Sequence, residues 1–283
     1  MKPIPGLTIF ALFFGAAGSL LQPAEASDRG EISGTIVALA DDANDVAASG
    51  SKSDSGQNSK IQAIDPPERG FYSKLLHYDG IPIKAHADVS DEALIQAKAR
   101  LAMMLEKLPA VRHNLRTAGA ELHIIGKNQV TSDLPEHRRL KGKPFDGNLT
   151  VDQRTRGLGG LLTSCGEENL LRLADDRYKG RDICVHEFAH CIRNHGIPDS
   201  VRDKFDEQSK HSLAKGQWVG SYAASNPDEF FAELSMWYWG THGDLHMKGE
   251  KPAVGRDGLK AYDPDAFALF DDFYRGKLEI GHK

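Results

Sequence analysis

His186-Glu187-Phe188-Ala189-His190 sets two imidazoles four residues apart with a carboxylate between them. On a helix, side chains four apart leave the same face, so both rings can meet one metal ion while Glu187, one step round, reaches a water beside it. These are the residue types of metal-assisted hydrolysis, with histidines as ligands and a glutamate as general base. The flanking sequence suits a helix. Asp182 is the predicted N-cap, Ile183, Val185, Phe188, Ala189 and Ile192 supply an apolar face, and Gly196 is the predicted stop.

A catalytic zinc takes three protein ligands and keeps one position open, so two histidines need a third partner. One solution is a His ten residues after the first with Gly at the seventh. Those positions hold Gly196 and Arg193, so that pattern fails, and His195 is read as a surface residue near the helix end. The other solution is a carboxylate on a later helix. From Tyr222 the chain reads YAASNPDEFFAE, which places Glu229 and Glu233 four apart on one helical face. Asn226-Pro227-Asp228-Glu229 is equally a good helix start, with Glu229 where a capping box puts it. Capping residue and metal ligand remain equal readings of Glu229 at this level.

The elements that must carry these groups are mostly helical. Residues 90–108 repeat apolar side chains at helical spacing, from Ala93 and Leu94 to Leu105 and Leu108, between the predicted cap Ser90 and Pro109. A shorter helix is predicted over 110–118 and a strand over 121–125. Helices are predicted over 182–195, 200–215, 227–239 and 265–275, each followed by Gly. Residues 133–160, rich in Gly, Pro and basic side chains, read as loop, and the Arg156-to-Gly160 run as a flexible one. The predicted class is α+β, helix-rich, with a small sheet upstream of the HEFAH helix.

Composition bounds the partners. Across 283 residues, 35 Lys+Arg against 40 Asp+Glu leave a net charge of -5, which disfavours nucleic acid and anionic lipid. Residues 1–26 read as a signal peptide, with Lys2, an uncharged run from Leu7 to Leu21, and Ala24-Glu25-Ala26 at the cleavage point. That run is too short to span a bilayer, so a secreted or periplasmic product without stable membrane insertion is expected. Residues 27–65 read as a disordered linker or tether, and residues 66–283 as the catalytic domain. Cys184 and Cys191 lie too far apart along one helix to bridge each other, so any disulfide in an oxidising compartment must use Cys165. Met236-Trp237-Tyr238-Trp239 reads as core and helix-end packing, and His242 and His246 as solvated.

HEFAH followed by Tyr222, Glu229, Phe230, Phe231, Ala232 and Glu233 resembles the catalytic domain of the anthrax toxin lethal factor family of zinc metallopeptidases. GIPIKAHADVSDEAL from Gly80, the stretch from Cys165 to Leu171 and DRYKGRDI before the motif are similar to secreted bacterial relatives of that domain. The resemblance implies a thermolysin-like zincin fold and one Zn2+ per chain. It implies His186, His190 and Glu229 as ligands, Glu187 as general base, Tyr222 as electrophilic hydroxyl and Glu233 as supporting carboxylate. The substrate it implies is a peptide or protein. Toxin activity and kinase-type substrates are not carried over, because this chain opens on its own export segment instead of a large receptor-binding part. A binding domain that keeps the fold and metal without catalysis is the competing expectation, and the intact Glu187 argues against it.

Overall fold

The computed structural model describes residues 60–243 and 247–281. The predicted signal peptide, residues 27–59 and His246 lie outside the described residues. The chain opens with β1 (Gln62–Glu68), β2 (Tyr72–Tyr78) and β3 (Ile81–Ala85), then α1 (Asp91–Leu105), α2 (Pro109–Ala118) and β4 (Glu121–Ile125). A segment of short pieces follows, comprising β5 (Pro144–Asp146), β6 (Leu149–Thr150), α3 (Val151–Arg154), β7 (Gly157–Leu158), β8 (Leu162–Gly166) and α4 (Glu167–Leu170). Helices complete the chain: α5 (Ile183–Cys191), α6 (Asp199–Ala214), α7 (Pro227–Tyr238), α8 (Gly255–Tyr262) and α9 (Pro264–Tyr274). The α+β class and the sheet upstream of the HEFAH helix are as expected.

Six strands form one mixed sheet in the order β1-β2-β3-β4-β8-β7. The first three are antiparallel neighbours, β3, β4 and β8 run parallel, and β7 turns antiparallel at the edge. The α1–α2 pair makes the crossover from β3 to β4 that a parallel pairing requires. Ser90 caps α1 through its hydroxyl, as its sequence predicts. Residues 62–65, assigned to the linker, lie in β1, where Gln62 and Ala63 pair with Leu75 and Lys74 of β2. The 133–160 stretch, read as loop, holds helices and strands of only two to four residues, too short for any periodicity to show.

One apolar core runs between the sheet and the helices, from Ile83 and Leu122 through Phe188 to Phe231 and Phe270. Phe205, Phe231, Phe270 and Phe273 meet edge to face or tilted between α6, α7 and α9, and Met236, Trp237 and Tyr238 are buried as read. Among the described residues no helix is long and apolar enough to cross a membrane. Cys165, Cys184 and Cys191 are buried and unbridged. Burial pushes the Cys191 thiol up to about 12 and the Cys165 thiol well above its ordinary range, which disfavours the thiolate that disulfide exchange needs.

Candidate metal centre

α5 and α7 pack against each other and hold the centre between them. α5 begins at Asp182, whose Oδ1 accepts the Val185 N–H (3.1 Å) while its Oδ2 accepts from Arg100 (2.8 Å) and Arg172 (3.0 Å). That buried carboxylate ties the helix start to α1 and to the chain after α4. His186 and His190 then rise from successive turns, both buried, with their Nε2 atoms 3.2 Å apart.

α7 begins with Asn226 Oδ1 accepting the Glu229 N–H (2.9 Å) and Pro227 in the first turn. The cap is therefore Asn226, and the Glu229 carboxylate turns instead to the histidines. Its Oε2 lies 3.2 Å from His186 Nε2 and 3.5 Å from His190 Nε2. The three donors form a triangle with sides of 3.2, 3.2 and 3.5 Å. Three corners of a tetrahedron with zinc–ligand arms of 2.0–2.2 Å are about 3.3–3.6 Å apart. Glu229 Oε2 is buried and accepts no hydrogen bond, a situation that a cation relieves. Burial opposes charge on His186, but Glu229 and Glu233 override it and push the imidazole up to about 10. Burial likewise opposes charge on Glu229, yet the two histidines hold its carboxyl well below the usual range. Two imidazoles and a carboxylate, close-set and dry, fit a zinc ion, whose charge would replace the proton that the carboxylates hold on His186.

Glu187 is buried, with its carboxylate within 4.8 Å of both histidine nitrogens. Burial pushes its carboxyl up, opposed by the two histidines, and the Gly159 N–H donates to it. The backbone just past β7 passes so close that a Cβ on Gly159 would lie 2.8 Å from His190 Cβ and 3.2 Å from Glu187 Oε2. One on Gly157 would lie 2.7 Å from Ile183 Cγ2. The Gly157–Gly160 run is thus a glycine-lined edge pressed on the motif, not a flexible loop. Its signal was the alternation of Gly in a strand position, which marks close backbone approach.

Tyr222 sits in a short 3-10 turn before α7, its hydroxyl donating to Glu229 Oε1 (3.1 Å). Burial and then Glu229 push that hydroxyl's pKa upward, so it stays a donor. Glu233, one turn beyond Glu229, places Oε1 3.2 Å from His186 Nδ1. The fold therefore brings together His186, Glu187, His190, Tyr222, Glu229 and Glu233. Sequence reasoning missed Arg181, whose Nη2 donates to Glu233 in a buried pair. His242, read as solvated, is buried and stacked on Trp237 at 3.4 Å. Position 196 has no room for a ligand, since a Cβ there would lie 2.7 Å from Val111 Cγ1.

The fold and site define an α+β domain with a buried two-histidine, one-glutamate centre flanked by a second glutamate one step round the histidine helix. No protein-family model matches the chain, and no curated protein matches it. Among solved structures, it is similar to the Pro-Pro endopeptidase PPEP-2 from Paenibacillus alvei at 19% identity, covering 67% of this chain and 92% of that one with a TM-score of 0.42.

Proposed function

We propose that the protein is a zinc metallopeptidase of the lethal factor-like kind, hydrolysing peptide bonds with Glu187 as general base. The observation that carries this reading is the donor triangle of His186, His190 and Glu229, whose sides match a tetrahedral zinc site. Those three residues would hold the ion, and Glu233 would orient His186 through Nδ1. Zinc supplies Lewis acidity when bound, lowering the pKa of a water towards about 7 and polarising a carbonyl.

The chain's own groups do the rest. Glu187, dry and raised by burial, takes the proton of the attacking water and passes it to the leaving amine. Tyr222 keeps its proton and donates a hydrogen bond to the oxyanion. The proposed compartment lies outside the cytoplasmic membrane, as the reading of residues 1–26 suggests, and the partner is a peptide or protein chain, not nucleic acid. The test is metal analysis of purified protein beside a peptide-library cleavage assay with and without chelator. About one zinc per chain and chelator-sensitive cleavage are expected. Glu187→Gln should keep the zinc and lose at least ~10²-fold in turnover. Unchanged turnover in that variant, or a metal-free protein that cleaves, would overturn the proposal.

A further inference from the structure

Arg181 and Glu233 are charged groups of the centre that neither ligation nor proton transfer uses. The Arg181 guanidinium donates to Glu233 Oε1, and that same oxygen lies 3.2 Å from His186 Nδ1. His186 Nε2, on the far side of the ring, is a corner of the donor triangle. Guanidinium, carboxylate and imidazole thus stand in line behind one ligand atom, all of them buried.

The main chain of Arg181 is anchored separately. It forms an antiparallel bridge with His242 just beyond α7, and its carbonyl accepts from Asn169 Nδ2 (2.7 Å). The next residue, Asp182, donates its N–H to Thr241 O (2.9 Å) and caps α5. Position 181 therefore joins the histidine helix to the glutamate helix twice, at the end of α7 through backbone and in its middle through a side chain.

We infer that Arg181 is a positioning residue of the centre: by holding Glu233 against His186 Nδ1, it keeps the hydrogen on Nδ1 and the Nε2 lone pair aimed at the metal position. A glutamate has three rotatable side-chain bonds, and without its guanidinium the carboxylate keeps only the imidazole to hold it in the rotamer that meets the ring. The planar fork of Arg fixes that oxygen better than the point charge of Lys. A partner behind a metal-bound imidazole sets both tautomer and ring orientation.

This inference rests on the zinc-centre reading, and one set of measurements separates the two. Zinc affinity is measured by chelator competition for the wild type, Arg181→Met, Arg181→Lys, Glu233→Gln and the double variant Arg181→Met/Glu233→Gln. Arg181→Met and Glu233→Gln should each weaken zinc about 10 to 100-fold, with Arg181→Lys between them and the wild type. The double variant should bind no more weakly than the weaker single, because Arg181 acts through Glu233. In the zinc-loaded protein, the 15N spectrum of His186 should show one tautomer in the wild type and lose that single state in Arg181→Met. Unchanged zinc affinity in Arg181→Met alongside a lowered melting temperature would mean a merely structural pair and overturn the inference. Additive losses in the double variant would overturn it too. Should Arg181→Met fail to fold, the double variant removes both buried charges, and its affinity must equal that of Glu233→Gln. A wild-type protein that binds no zinc overturns the metal reading itself, whereas zinc bound equally by all five proteins overturns the roles of Arg181 and Glu233 and leaves the metal reading standing.

Discussion

Replacing Gly159 by Ala tests whether the edge strand sets the position of the metal-binding helix. The added Cβ would lie 2.8 Å from His190 Cβ, 3.1 Å from His190 Cδ2 and 3.2 Å from Glu187 Oε2. Carbon atoms pack comfortably at about 3.5–4.0 Å, so the overlap with His190 Cβ is about 0.7–1.2 Å. That atom is fixed to the helix backbone and cannot rotate away, so the helix or the strand must shift by a distance of that order. Overpacking of this kind costs about 1–3 kcal/mol, which lowers the melting temperature by about 2–12 °C in a domain of this size. Ligands displaced by more than about 0.5 Å leave productive geometry, so zinc affinity should fall at least ~10-fold. Gly160→Ala is the matched control, because Gly160 has φ +136° and nothing within 4 Å of its Cβ position. It should lose about 1–3 kcal/mol through backbone strain alone and hold zinc as the wild type does. Thermal melts of the metal-free proteins and zinc competition read both quantities. If Gly159→Ala melts and binds zinc like the wild type, the close approach is not a constraint and the argument fails.

Glu229→Gln and Glu233→Gln should separate ligand from support, with Glu233→Gln weakening zinc about 10 to 100-fold and Glu229→Gln weakening it further. A reversed order in chelator competition would move the ligand one turn along α7. The buried His123 supports a pH prediction, since Glu121 (2.8 Å) and Glu136 flank its two nitrogens, Tyr72 reaches Nδ1, and Lys84 and Arg69 pair with the carboxylates. Against the opposing effect of burial, these contacts raise the His123 pKa and lower Glu121 and Glu136 to about 2. The carboxylates' contribution is present above their unfolded pKa and fades as pH falls towards 2, while that of the histidine is whole below about 6.5 and fades as pH rises. The stability difference between the wild type and His123→Gln, from urea unfolding, should therefore peak between about pH 4.5 and 6.5. A difference that grows from pH 6 to 9 would contradict the assignment.

Much of the helical half was legible because a helix is built from contacts three and four residues apart. The spacing of His186 and His190, the cap at Asp182 and the glycines after α6, α7 and α9 all act within a turn, so sequence alone determines them. The sheet was less legible. β1 carries Asp65-Pro66-Pro67 in place of alternation, and β7 has two residues, so pairing with the next strand and not their own pattern makes them strands. The choice between Glu229 and Glu233 was equally out of reach. Both lie on one face of α7, and local rules leave Glu229, at the third position of the helix, free to cap or to ligate. Tertiary structure separates the two by packing α7 on α5 so that Glu229 meets both Nε2 atoms while Glu233 meets only Nδ1 of His186. Arg181 and Gly159 entered the site the same way, from separate stretches of chain. The distance between two helices is set by side chains far apart in sequence, and a metal centre is sensitive to a fraction of an ångström in that distance.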